Sequence, residues 1–281
     1  AIQYDAIDVA SSMQTLLKGW PTIGLKVKEV ENKIKKKLNV KNAVMVNSGG
    51  SANFLMLYIL TSPYAKKKDK IKFGSEVITP AVTWSTTVGP IIQNNLVPVF
   101  IDVNLGSYDI DVDLIEKNIT KKTRAIIPVH LFGQAVNMSE IMLISKKYNL
   151  WVIEDAAQSL GSQIFKKNKL NKIQSKQYTG TIGHIGTTSF YPTKNLNCFG
   201  DGGALFTNDD EIANNVKSIK NHGFFINLID VLFTIHDFHA SSTNTTKNLS
   251  ISASLVSQPM EIRKPVFANS SGTPMAIRTR D

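Results

Sequence analysis

The stretch "NAVMVNSGGSANFLMLYIL", residues 42–60, decides the fold. It opens with a short, largely apolar run suited to a buried strand, turns through four small residues, and continues as an apolar segment long enough for a helix. The same alternation continues on both sides. Before it, "LKVKEVENKIKKKL" (25–38) sets Leu25, Val27, Val30, Ile34 and Leu38 at helical spacing. After it come the strand "EVITP" (76–80), a helix from about Trp84 to Asn94, the strand "VPVFIDV" (97–103) and a helix from about Asp111 to Ile119. The strand "RAIIPVH" (124–130), the helix "SEIMLISKKYN" (139–149), the strand "LWVIED" (150–155) and two further strands, "TTSFYP" (187–192) and "GGALFTN" (202–208), complete the pattern. Strands that are apolar nearly throughout, separated by helices, predict a three-layer α/β/α fold with a mostly parallel central sheet covered on both faces.

The composition is that of an ordinary globular chain, with 42% hydrophobic and 19% charged residues among 281. No run approaches the roughly 18 to 20 apolar residues of a membrane span, and "AIQYDAIDVASS" at the start lacks the basic-then-apolar order of a signal peptide. The expectation is a cytoplasmic protein that does not engage a membrane. Cys198 is the single cysteine, so one chain builds neither a disulfide nor a cysteine-ligated metal site. The formal charge of +10 sits in separate clusters, "KIKKKLNVK", "KKKDKIK", "KKTR" and "FKKNKLNKIQSK", near expected helix ends or loops and without regular aromatic interleaving. They read as solvated faces and predict no nucleic-acid partner, while the positive field favours an anionic small substrate. Beyond "NHGF" the text becomes rich in Ser, Thr and Asn. A weakly structured tail is expected over 226–281, apart from the apolar "FFINLIDVLFTI", and a main domain over 1–225.

In open parallel sheets ligands lie beyond the carboxyl ends of the strands, and four such ends are distinctive. At "NSGGSAN", Gly49, Gly50, Ser51 and Ala52 bring backbone amides and a hydroxyl to a helix start, which suits a phosphate or, equally, tight packing. "WVIEDAAQS" places Glu154 and Asp155 after an apolar strand. A carboxylate there can hold a proton on a heteroaromatic nitrogen, with Gln158 one helical turn on, or it can cap a helix. Trp84 can stack on a flat ligand or fill the core. In "SFYPTKNLNCFGDGGALFTND" (189–209) a lone lysine, Lys194, stands between apolar residues and glycines. Desolvation lowers such an amine from about 10.4 toward nucleophilic range and suits it to Schiff-base chemistry, the alternative being a solvated loop lysine. Together the four describe one ligand with a phosphate, a ring, a protonated ring nitrogen and an aldehyde: pyridoxal phosphate.

In the order "NSGGSAN", "DVNLGSYDID", "IIPVHLFGQ", "VIEDAAQSLGS", "SFYPTKNLNCFGDGGALFTND" and "KNHG", the chain from about Trp20 to Gly223 resembles the DegT/DnrJ/EryC1/StrS sugar aminotransferases. That resemblance implies a fold like the large domain of aspartate aminotransferase, with the small domain largely missing. It implies transamination of a nucleotide-linked keto-sugar from an amino-acid donor, glutamate, in polysaccharide or lipopolysaccharide O-antigen biosynthesis. By the resemblance Lys194 binds the cofactor covalently and shuttles the proton, Asp155 pairs with the pyridine nitrogen and Gln158 lies near the ring hydroxyl. Gly50, Ser51 and Ser189 hold the phosphate, Trp84 covers the ring, and no metal is needed. A homodimer is also implied. A sister branch of keto-sugar 3-dehydratases has histidine in place of the lysine. The stretch "TSPYAKKKDKIKFGSEVITPAVTWSTTV" resembles that branch, whereas retention of Lys194 points to transamination. A non-catalytic, truncated member is a third reading, because the text after "NHG" departs from the family.

Overall fold

A computed structural model describes residues 4–19, 22–63, 65, 70–167 and 173–221. The expectations for "FFINLIDVLFTI" and for 226–281 lie outside them. Seven strands form the main sheet: β1 (Asn42–Val46), β2 (Glu76–Pro80), β3 (Val97–Ile101), β4 (Thr123–Ile126), β5 (Trp151–Asp155), β8 (Ile185–Ser189) and β9 (Gly203–Thr207). Their order is β1-β9-β8-β5-β4-β2-β3. The pairs β2 with β3, β2 with β4, β4 with β5 and β5 with β8 are parallel, and only β9 runs against its neighbours β1 and β8. The expected mostly parallel sheet is therefore present.

Alternation along each strand divides the core into two layers, because successive side chains leave opposite faces. Val44, Val77, Ala125, Ile153 and Leu205 pack on one face with residues of α3 (Gly49–Thr61), α4 (Ser85–Gln93) and α7 (Asp210–Lys220), such as Met56, Ile91 and Val216. Their neighbours Ile78, Ile126 and Val152 face the opposite layer, built by α5 (Val112–Ile115) and α6 (Met138–Tyr148). Ala43, Ala204 and Phe206 face Ile34 and Leu38 of α2 (Leu25–Leu38) on that same side. Covering both faces is what makes the strands read as continuous apolar runs rather than alternating ones.

The elements seen in the sequence fall within a few residues of their expected limits, with informative exceptions. The helix expected over 111–119 is α5 followed by a tighter turn at Glu116–Asn118. The segment after Asp155, expected as a helix carrying Gln158, is a series of turns closed by Ser159 N donating to Ala156 O and Ser162 N to Ser159 O. The basic stretch expected as helix end or loop contributes instead to an antiparallel hairpin of β6 (Gln163–Lys167) and β7 (Ile173–Tyr178). Two helices were not foreseen, α1 (Ala6–Leu17) and α7. No helix among the described residues is long and apolar enough to cross a membrane.

Glu154 joins three segments of this frame. Its carboxylate is fully buried and accepts from the amides of Gly180 (2.9 Å), Ile182 (2.6 Å) and Gly183 (2.5 Å) and from His130 Nε2 (2.9 Å). Val136 N donates to His130 Nδ1, so the ring proton sits on Nε2, facing the carboxylate. Four donors converge on one anion. An amide in its place would point an NH2 at groups that are themselves donors. Glu154→Gln is expected to lower unfolding free energy by about 3 kcal/mol in urea titration; a loss of under about 0.5 kcal/mol would contradict the role assigned.

Candidate active site

Because six of the seven strands run the same way, their carboxyl ends open onto one edge of the sheet. That edge receives Ser48 to Ser51 after β1, Trp84 after β2, Asp155 at the end of β5 and Ser189 at the end of β8, with Lys194 five residues beyond.

Asp155 is 4% exposed, and its position in β5 turns it, like Ile153, toward α3 and α4. Oδ2 accepts from Asn53 Nδ2 at 3.0 Å and Thr87 Oγ1 at 2.8 Å, and Oδ1 accepts from Ala157 N at 3.1 Å. Asn53 is fixed in turn by donating to Thr86 O and accepting from Thr187 Oγ1 at 2.6 Å. All these donors are neutral, and no Lys, Arg or His among the described residues forms an ion pair with Asp155. A buried carboxylate without a counter-charge is costly by several kcal/mol, and a protonated ring nitrogen would supply what is missing. The capping alternative is met only in part: Ala157 N bonds the carboxylate, but no helix follows.

The turn after β1 is a constructed cradle. Ser48 caps α3, its Oγ accepting from Ser51 N at 3.0 Å and donating to Ser51 Oγ at 3.0 Å. The amides of Gly49 and Gly50, the first two of the helix, have no acceptor among the described residues, as at any helix start, and the helix dipole favours an anion there. The turn is held without slack. A Cβ on Gly49 would lie 2.7 Å from Ser189 Cβ, and one on Gly203 would lie 2.4 Å from Ser48 O and 2.7 Å from Gly49 N. The tight packing leaves the amides of Gly49 and Gly50 free, so the packing and phosphate readings posed by the sequence do not exclude each other. Gly50 and Ser51 line a groove of about 1190 Å³ with Thr86, Phe190 and Gly202.

Trp84 does not enter the core: it precedes α4 and is 68% exposed, because its strand ends at Pro80 and the chain there projects past the sheet edge. Lys194 is half-buried, in a turn closed by its own amide donating to Tyr191 O at 2.9 Å, and its ammonium has no hydrogen bond or ion pair among the described residues. Gln158 Oε1 accepts from Phe132 N at 3.0 Å. None of these three is hydrogen-bonded to Asp155, Ser51 or Ser189 among the described residues. Asn53 and Thr87, which define the surroundings of Asp155, were not foreseen. The one available signal was an asparagine in the otherwise apolar "ANFLMLYIL". No group of three or more His, Cys, Asp or Glu among the described residues gathers to hold a metal ion.

Residues 4–236 match the DegT/DnrJ/EryC1/StrS aminotransferase family, and the chain belongs to it. Its relatives include the lipopolysaccharide biosynthesis protein RfbH of Salmonella typhimurium, 41% identical over 211 residues, which are 75% of this chain and 46% of that protein. The UDP-2-acetamido-2-deoxy-3-oxo-D-glucuronate aminotransferase of Pseudomonas aeruginosa is 35% identical over 220 residues, 78% of this chain and 55% of that one. Among solved structures, GDP-4-keto-6-deoxymannose-3-dehydratase with a trapped PLP-glutamate geminal diamine superposes with a TM-score of 0.72 at 32% identity, covering 81% of this chain and 55% of that one. The chain spans about half the length of the relatives it matches. Pyridoxal phosphate is the cofactor of this fold and family, and the counter-charge missing at Asp155 and the free amides at Gly49 and Gly50 fit its two polar ends.

Substituting Gly203 by Ala drives a methyl group into Ser48 O. The variant is expected to lose about 2 kcal/mol of stability by thermal unfolding and to bind pyridoxal phosphate at least about tenfold more weakly. Unchanged affinity would show that the turn is not the phosphate cradle.

Proposed function

We propose that this chain carries out pyridoxal-phosphate-dependent transfer of an amino group from glutamate to a nucleotide-linked keto-sugar. The observation that carries the reading is Lys194: a half-buried amine, unpaired among the described residues, on the same sheet edge as a buried and uncompensated carboxylate. When bound, the cofactor supplies an aldehyde that captures amines and a protonated ring that withdraws electrons from the adjacent carbon. In this reading Asp155 keeps the ring nitrogen protonated, held in place by Asn53 and Thr87. Gly50, Ser51 and Ser189 anchor the phosphate, Trp84 shields the ring from water and Gln158 approaches its hydroxyl. Lys194 Nζ would hold the cofactor through its aldehyde and, with the donor bound, would take and return the proton of the donor's α-carbon. The glutamate held in the structural relative supports that donor, and the aminotransferase among the relatives supports the sugar class.

A second copy of the chain completes the proposal. Ile7, Met13, Leu16 and Leu17 of α1 are exposed and no residue of that helix is buried, an apolar face suited to a homodimer contact. Activity on a cytoplasmic sugar nucleotide belongs to the same reading. The second reading, 3-dehydration, is favoured by the likeness to the dehydratase structure, and it differs in releasing water from the sugar without net consumption of glutamate.

The test is borohydride reduction of the cofactor-loaded chain followed by peptide mass analysis. The added mass is expected on the peptide bearing Lys194, and Lys194→Ala is expected to lose both the label and at least about a hundredfold in the half-reaction with glutamate. A label on a different lysine, or an unimpaired half-reaction, would refute the assignment.

A further inference from the structure

Strand β1 lies at the edge of the sheet and pairs only with β9. An edge strand leaves every second residue's N–H and C=O without a sheet partner. At Met45 both groups are taken by side chains. Met45 N donates to Glu31 Oε1 of α2 at 2.9 Å, and Lys220 Nζ, in the last turn of α7, donates to Met45 O at 2.8 Å. The two side chains also pair with each other, Nζ to Oε1 at 3.7 Å, and are 10% and 17% exposed. Burial pushes the Lys220 ammonium below the usual lysine range, and Glu31 pulls in the opposite direction. A lysine withdrawn from water in this way is held by geometry that the rest of the protein maintains.

The clamp sits immediately before the cradle. Val46, the next residue, is opposite Gly203, and Gly203 leaves no room for even a methyl group against Ser48 O and Gly49 N. Lys220 also lines the same groove as Ser48, Gly50 and Ser51. We propose that Glu31 and Lys220 are positioning residues for the cofactor's phosphate: by gripping both backbone groups of Met45 they fix β1, and through it the amides of Gly49 and Gly50. This rests on the cradle reading above. Neither residue bonds a reacting atom, so their effect is on where the anion binds.

The test compares the affinities of the full chain for pyridoxal phosphate and for pyridoxal, which lacks the phosphate, with thermal unfolding recorded alongside. Wild type is expected to prefer the phosphorylated form strongly. In Lys220→Met that preference is expected to shrink about tenfold, and in Lys220→Arg, which keeps a cation able to reach Met45 O, to be largely retained. Glu31→Met, which removes both the charge and the acceptor of Met45 N, separates positioning from simple attraction. Removing a negative charge near the groove would by itself raise the preference for the anion, whereas loosening the clamp lowers it. A fall in Glu31→Met supports the proposal, and it decides the matter if Lys220→Met does not fold. A preference that rises or stays unchanged in Glu31→Met, or lower melting temperatures with an unaltered preference, overturns it. A wild type that binds pyridoxal as tightly as its phosphate overturns the cradle itself, and the clamp's assigned role with it.

Discussion

A carboxylate that has been taken out of water and given only neutral partners is the constraint around which this protein is arranged. Asp155 is held by an amide, a hydroxyl and a backbone N–H. These satisfy its lone pairs without neutralising its charge. Such a group destabilises the empty protein relative to one in which a cation sits beside it, and the deficit is recovered when the cation arrives with a ligand. The neighbouring carboxylate makes the contrast clear. Glu154 points to the opposite face of the same strand, collects four donors and ties β5 to the turn at 180–183 and to His130. One residue apart in sequence, one acid closes the frame and the other is left without a counter-charge.

The frame explains why these groups meet. Six parallel strands bring their carboxyl ends to one edge, and β9, running the other way, returns the chain so that Gly203 wedges against the turn after β1. The starts of α3 and α4 lie at that edge, where a Cβ on Gly50 would touch Thr86 at 3.5 Å. Their dipoles favour negative charge. The edge therefore presents free amides at the start of α3 and, at the end of β5, a buried carboxylate without a counter-charge. A ligand with a phosphate at one end and a basic ring nitrogen at the other satisfies both.

Much of this was legible in the sequence because the sheet is buried on both faces. Nearly continuous apolar runs such as "LWVI" and "AVMV" mark its strands, and small residues mark its turns. The positions of Ser51, Asp155 and Lys194 near strand ends followed from that pattern, whereas Ser189 was named through the family resemblance and the structure ends β8 there. What escaped was whatever depends on contact between distant segments. Asn53 and Thr87 look like incidental polar residues until α3 and α4 bring them to Asp155. The hairpin of β6 and β7 was hidden because its basic residues suggest a solvated loop, while pairing between the two strands overrides that composition. For Trp84 the sequence allowed either a stacking or a core position, and the geometry after β2 removes the core alternative. α1 was missed because none of its apolar residues packs within the described residues, so its periodicity had no core to report.

The central claim is that Asp155 exists to hold a proton on the ring nitrogen of the cofactor. It is tested most directly by the nitrogen NMR shift of pyridoxal phosphate labelled with 15N at the ring and bound to the full chain. The account predicts the shift of a protonated pyridinium in the wild type across neutral pH, and that of an unprotonated pyridine in Asp155→Ala. The same shift in both proteins would contradict it.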